Sequence, residues 1–299
     1  MDVLLSYAYH AKTDLGFVRH KIGDSLLVVD SGAYTAHFSA SKKQISLHEY
    51  ADFLKRWEPF YSAAITLDVI HNPAATARNT KRLQRMGCRV LPVFQTGTPL
   101  AEFDAMVTDN GYVAVGGIAG MGNTRKGLRA DYVTMLATRA RNLGGHVHLL
   151  GVNGGAVLRS GVYSADTSAP SKVMLRGLAA IYDGQRMKYL SVSDHDTWLE
   201  HHDLLTGYEI PGVADKKWWS DRAYTKAVLT AGLWSFWVES QQLQRRNIPA
   251  PDGAPAPGTR IVAAVLNKQV LALVFAMTKR IAEGDLPRSV ARLVGKVAA

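Results

Sequence analysis

The sequence predicts an α/β protein built as a (β/α)8, TIM-type barrel with a helical C-terminal extension. Short β-rich runs alternate with longer helical runs as far as about residue 192, which is the grammar of βαβ units and a parallel sheet. Seven or eight such units favour a barrel over an open doubly wound sheet. An open sheet would also tend to carry a Gly-rich dinucleotide fingerprint after its first strand, and none follows Val3–Tyr7.

In chain order the expected strands are Val3–Tyr7, Leu26–Asp30, Ala64–Asp68, Arg89–Phe94, Tyr112–Gly116, His146–Leu150 and Val162–Asp166, with Met187–Val192 as the eighth. Helices are expected between them over Leu47–Trp57, Pro73–Met86, Pro99–Thr108 and Gly127–Leu143. Asn72-Pro73 and Thr98-Pro99 supply cap-plus-proline starts for two of these. Later segments read as mostly helical, over Asp196–Leu205, Ser220–Arg246, Thr259–Glu283 and Pro287–Val297. The run Ile248 to Gly258 is too rich in proline to hold a helix or central strand. The expected division is a catalytic barrel over 1–195 and a helical region over 196–299 that completes the barrel and contacts a nucleic acid.

A chain of 299 residues with 47 % hydrophobic and 20 % charged residues has the composition of an ordinary globular protein with a sizeable core. The N-terminus lacks a basic region followed by a long apolar run, so no secretory signal is expected. The apolar stretch Ile261 to Met277 is broken by Asn267-Lys268-Gln269 and reads as buried helix rather than a membrane span. Cys88 is the only cysteine, which excludes an intrachain disulfide and a multi-cysteine zinc site and fits a reducing compartment. Thirty-five Lys and Arg against 25 Asp and Glu leave a net charge of +10, a balance suited to a polyanionic partner though not diagnostic of one.

Three strands end in aspartate: Asp30 before Ser31-Gly32, Asp68 after Ile65-Thr66-Leu67, and Asp166 after Val162 to Ala165. Strand ends in a parallel sheet are rigid while the loops beyond them open onto a cleft, so reacting groups collect there. An Asp in such a place is also a common helix cap or turn residue, and each alone has that simpler reading. The histidine-rich stretch from Asp194 to Asp203 reads as the start of a surface helix. His146 and His148 share a strand face, at what looks like the strand's beginning. The Gly116 to Gly122 turn lacks the Gly-Lys-Ser/Thr ending of a P-loop.

Taken in order, the strand ends resemble the tRNA-guanine transglycosylase superfamily. Asp30-Ser31-Gly32 is similar to that family's Asp-Ser-Gly-Gly turn, Leu67-Asp68 to its guanine-reading element, and Phe94-Gln95-Thr96-Gly97 to its Gln-Gly element. Gly116-Gly117-Ile118-Ala119 resembles its Gly-Gly-Leu-Ala segment, and Leu149-Leu150-Gly151-Val152 the stretch ahead of its nucleophile. The resemblance spans about residues 26 to 170. It implies Asp166 as nucleophile, Asp30 as general acid/base, and a base pocket of Asp68, Gln95, Gly116, Gly117 and Ile118, with Tyr34 stacking on the base. Gln95 and the Gly117 backbone N–H would face the O6 acceptor of guanine.

The departures are Ala33 in place of the second glycine, Thr167-Ser168-Ala169-Pro170 after Asp166, and no zinc-binding Cys/His cluster after the barrel. They favour the phage-associated, DpdA-type DNA 7-deazaguanine transglycosylases, with a zinc-free tRNA enzyme as alternative and a metal-dependent barrel hydrolase as a reading of another class. A noncatalytic nucleic-acid-binding barrel is the remaining reading. The implied reaction needs no metal or organic cofactor and takes a free 7-deazaguanine base, such as the 7-cyano form, as substrate. The implied partner is DNA, with Arg245, Arg246, Lys279 and Arg280 as candidate phosphate contacts; whether a further protein opens the duplex is left open. The implied location is the cytoplasm, that of an infected bacterium if the chain is phage-encoded.

Overall fold

A computed structural model describes residues 1–38, 44–118, 126–152, 160–212, 221–244, 248–249, 255–256, 260–265 and 267–295. Eight parallel strands form one curled sheet. They are β1 (Val3–Ser6), β2 (Leu27–Asp30), β3 (Ala63–Ala64), β4 (Val93–Gln95), β5 (Tyr112–Gly116), β6 (His146–Leu149), β7 (Ser164–Thr167) and β12 (Arg260–Val265). Their order across the sheet is β3-β2-β1-β12-β7-β6-β5-β4. The two outer strands approach each other through a parallel bridge between Ile65 and Leu91. There Leu91 N donates to Ala64 O at 2.7 Å and Thr66 N to Leu91 O at 3.0 Å.

Side chains alternate across each strand, so the sheet presents two faces with separate cores. One face packs under the helices: Val3, Leu5, Leu27, Val29, Ala263 and Val265 in one cluster, Phe94, Val113, Val115, Val147, Leu149 and Ala165 in another. The opposite face forms a small inner core of Leu4, Val28, Ile65, Val93, Ala114 and Val262. Two residues beyond this inner layer, at the C-terminal ends of the strands, the same face presents Asp30, Gln95 and Gly116. Asp166 is in register with Val262, and so projects to that face as well. The alternation that buries the core thereby delivers the polar groups to one rim.

The helices between the early strands start where their caps require. Ser46 Oγ accepts from Glu49 N ahead of Leu47–Trp57, and Asn72 Oδ1 accepts from Ala75 N ahead of Pro73–Arg85. Leu100–Asn110 and Lys126–Asn142 follow β4 and β5.

Two expectations for the second half are corrected. Met187–Val192 is not the eighth strand of the sheet. Met187–Leu190 (β9) pairs antiparallel with Ala179–Tyr182 (β8) in a separate hairpin, whose turn is held by Asp183 Oδ1 accepting from Gln185 N and Arg186 N. The eighth parallel strand is β12, inside the segment expected to be helix over Thr259–Glu283. That helix begins only at Lys268, because Asn267 Oδ1 accepts from Val270 N and caps it there. The chain after residue 196 therefore supplies a strand between β1 and β7, together with the helix Arg222–Gln244 packed on β8 and β12. Ile248–Pro249 (β10) and Pro255–Ala256 (β11) form a further two-stranded pairing within the proline-rich stretch. Among the described residues no helix is long and apolar enough to cross a membrane.

Candidate active site

Asp30 closes β2 and immediately enters a turn in which its Oδ2 accepts from Gly32 N at 2.8 Å. Gly32 has φ +83°, and a β-carbon there would lie 2.5 Å from Ala8 Cβ and 2.6 Å from Ser6 Oγ. The Ser-Gly turn is thus imposed by the chain leaving β1, which passes directly against it. Ala33, at the position of the first motif's missing glycine, is buried and starts the short helix Ala33–Phe38.

The surroundings of Asp30 favour its neutral form. Burial, opposed only partly by the Gly32 hydrogen bond, and the nearby Asp166 and Asp68 carboxylates push its pKa from 3.8 up to about 6. His148 acts on it in the opposite direction. These couplings bring Asp30, Asp68, His148 and Asp166 into one electrostatic cluster, although they lie on or after four different strands.

Asp166 is 9 % exposed. Its Oδ1 accepts from Gly151 N at 2.9 Å, and His148 Nε2 lies 3.4 Å from the same oxygen. The carboxylate is held through this oxygen from the loop after the neighbouring strand. His148 was expected at the far end of its strand, but β6 spans only His146–Leu149. His148 there stands in register with Ala114 and Ser164 on the inner face. Four residues are too few to separate the two ends of the strand, so one turn of the pleat carries His148 to Asp166.

Asp68 and Gln95 form a second unit. Gln95 Nε2 donates to Asp68 Oδ1 at 2.6 Å and to Val69 O at 2.8 Å, while Thr76 Oγ1 donates to Asp68 Oδ1 at 2.7 Å. Both amide hydrogens of Gln95 are thereby committed, which corrects the expectation that its amide donates to a guanine O6. Among the described residues neither Gln95 Oε1 nor Asp68 Oδ2 takes part in a hydrogen bond, so both remain as acceptors. Thr76, on the helix after this loop, was not anticipated; nothing in its sequence context marks it apart from a position one helical turn after the Asn72 cap.

Gly116 and Gly117 follow β5. Gly117 has φ +84°, and a β-carbon would fall 2.4 Å from Thr96 Oγ1, so the turns after β4 and β5 touch here. Ile118 is fully buried and anchors the segment in the outer core; Ala119 and Gly120 lie outside the described residues. Tyr34 is 63 % exposed and contacts Phe38 ring to ring, making it a rim aromatic rather than a core one.

The expected phosphate contacts fare differently. Arg280 donates to both carboxylate oxygens of Glu209 at 2.8 Å and to Asp285 Oδ2 at 2.8 Å, with its guanidinium over the Trp234 ring. Two carboxylates neutralise it, so it is a clamp between segments and not a free cation. Lys279 is exposed and pairs with Glu283 at 3.7 Å. Arg245 and Arg246 lie outside the described residues. Asp194 caps the helix His195–Glu200, in keeping with the surface-helix reading of that stretch. Among the described residues no three His, Cys, Asp or Glu side chains gather as a metal-holding group. Cys88 is buried against Ala51 O, and burial pushes its thiol pKa up. Comparison with protein-family models and with curated proteins finds no match to this chain.

Proposed function

We propose that the chain is a (β/α)8-barrel transglycosylase that exchanges guanine in DNA for a 7-deazaguanine base. One observation carries the reading: Asp30, a carboxyl whose pKa burial and neighbouring carboxylates push up to about 6, stands in the same rim cluster as an anchored carboxylate, Asp166. Base exchange with retention requires such a pair, one group to attack and one to manage protons.

In the first step an Asp166 oxygen bonds to the anomeric carbon as the bond to guanine breaks, and Asp30 gives its proton to the departing base. The product is a glycosyl ester on Asp166. In the second step Asp30, now ionised, takes a proton from the incoming base, whose nitrogen attacks the anomeric carbon and releases Asp166. Two inversions preserve the β anomer. A pKa near 6 lets Asp30 serve in both directions around neutrality.

Asp68 Oδ2 and Gln95 Oε1 are acceptors, matched to the N1–H and 2-amino donors that guanine and 7-deazaguanine share. Adenine lacks that donor pair and would leave buried acceptors unpaired, at about 1–3 kcal/mol for each neutral group. A base within a duplex cannot reach this rim, so the nucleotide must be flipped out or presented in a single strand.

The test supplies labelled guanine or 7-deazaguanine with DNA or with tRNA and measures incorporation. Label in DNA, lost together with the covalent adduct in Asp166→Ala, is the expected result. Incorporation only into tRNA makes the chain a zinc-free tRNA enzyme. No incorporation into either, or full activity in Asp166→Ala, overturns the proposal.

A further inference from the structure

A line of buried polar groups runs along the inner face of the sheet. Tyr112 Oη lies 2.6 Å from Ser164 Oγ, Ser164 Oγ lies 2.6 Å from His148 Nδ1, and His148 Nε2 faces Asp166 Oδ1 at 3.4 Å. His148 and Ser164 are fully buried, and among the described residues Nε2 has no aligned hydrogen-bond partner. A polar thread through a hydrophobic interior is unfavourable unless its groups satisfy one another, and this one ends on the carboxylate assigned as nucleophile. Resting on the transglycosylase reading, we infer that His148 is the positioning residue for Asp166, with the Tyr112–Ser164 pair setting the tautomer that turns an Nε2 proton toward the carboxylate.

The hydroxyl protons decide the direction. Ser164 has one proton and two neighbours. If it donates to His148 Nδ1, Tyr112 donates to Ser164, every hydroxyl proton has an acceptor, and the imidazole proton resides on Nε2. With the imidazole proton on Nδ1 instead, either the Tyr112 or the Ser164 hydroxyl proton has no acceptor within the thread, and a bare Nε2 lone pair is set against a carboxylate oxygen. The titratable groups facing His148 are Asp166 of β7 and Asp30 of β2, with Tyr112 of β5 reached through Ser164. Beneath Tyr112, Arg260 and Asp2 are paired with each other at 2.7 Å. Among the described residues no Lys or Arg side chain pairs with Asp166. The role of His148 is to fix that carboxylate so that its attacking oxygen stays aimed.

Nitrogen-15 and carboxyl carbon-13 NMR of the full chain test this without any turnover. Expected are an Nε2-protonated His148 in the wild type and a displaced Asp166 carboxyl carbon-13 resonance in His148→Phe, with much of the displacement reversed in His148→Gln. Ser164→Ala, which removes the tautomer-setting hydroxyl but no group near substrate, is expected to increase the Nδ1-protonated population. In exchange assays kcat falls about tenfold or more in His148→Phe while KM for the base stays within about twofold. An Nδ1-protonated ring in the wild type, or an Asp166 carboxyl resonance unmoved in both His148 variants, overturns the inference. An intact NMR signature with no exchange activity instead leaves the His148–Asp166 relationship standing and removes the transglycosylase reading.

Discussion

Gln95 Nε2 lies 2.6 Å from Asp68 Oδ1, so an amide from β4 and a carboxylate from the loop after β3 are held as one hydrogen-bonded unit. Removing either partner strands the other. Gln95→Ala is expected to raise KM for the incoming base by about tenfold or more and to relax the preference for guanine over adenine, with a smaller effect on kcat. Steady-state kinetics with the two bases check this; an unchanged preference would separate Gln95 from base recognition.

Asp30 has its own pH signature. Its folded-state pKa, near 6, lies above the ordinary 3.8, so the folded chain holds this proton more tightly than the unfolded chain. Its contribution to stability is complete below about pH 3.8 and is lost as pH rises through about 6. Asp30→Asn keeps the acceptor for Gly32 N but never ionises. It is therefore expected to be more stable than the wild type at pH 8, by roughly 2–3 kcal/mol at two pKa units of difference, with the gain vanishing at pH 4. Exchange activity should be lost at both pH values. Urea melts at the two pH values give the sign.

Gly32→Ala is the most disruptive small change at this rim. The added methyl meets Ala8 Cβ and Ser6 Oγ, and the residue must also hold a positive φ. A loss of about 2–4 kcal/mol is expected, combining the backbone strain with displacement of the chain after β1. Denaturant unfolding measures it. A loss below about 0.5 kcal/mol would mean that the β1 and β2 loops separate easily.

Arg280 and Tyr34 should behave oppositely. Arg280→Ala removes a clamp on Glu209 and Asp285 and is expected to cost about 1 kcal/mol of stability while leaving affinity for single-stranded DNA within twofold. Tyr34→Ala leaves stability nearly unchanged, since the ring is largely exposed, but is expected to weaken that affinity about tenfold through lost base stacking. Fluorescence anisotropy and thermal melts on the same two proteins distinguish the roles.

The strand ends were legible because a period of two and a turn residue coincide there. Val28, Asp30 and Gly32 mark a buried strand, a rim carboxylate and a turn without help from distant residues. Pairing was not legible. Met187–Leu190 reads as a strand and is one, but its partner is the preceding Ala179–Tyr182, a choice made by the Asp183 turn rather than by any property of its own residues. Arg260–Val265 was hidden because it runs almost directly into a helix of similar composition, with only the Asn267 cap to divide them. His148 was misplaced by a single pleat. Partners such as Thr76, whose value lies wholly in reaching another segment, carry no local mark.

The seating of β12 between β1 and β7 has a consequence for biogenesis. Val3 lies in register with Ala263, and on the other flank Asp166 lies in register with Val262. β2, with Asp30, and β7, with Asp166, are joined through β1 and β12, so a nascent chain carries both carboxylates long before this side of the sheet is joined. The segment around residue 265 is thus the last piece this side of the sheet acquires, and strand pairing across so long a sequence separation slows folding. A chain cut short before β12 leaves the facing edges of β1 and β7 unpaired.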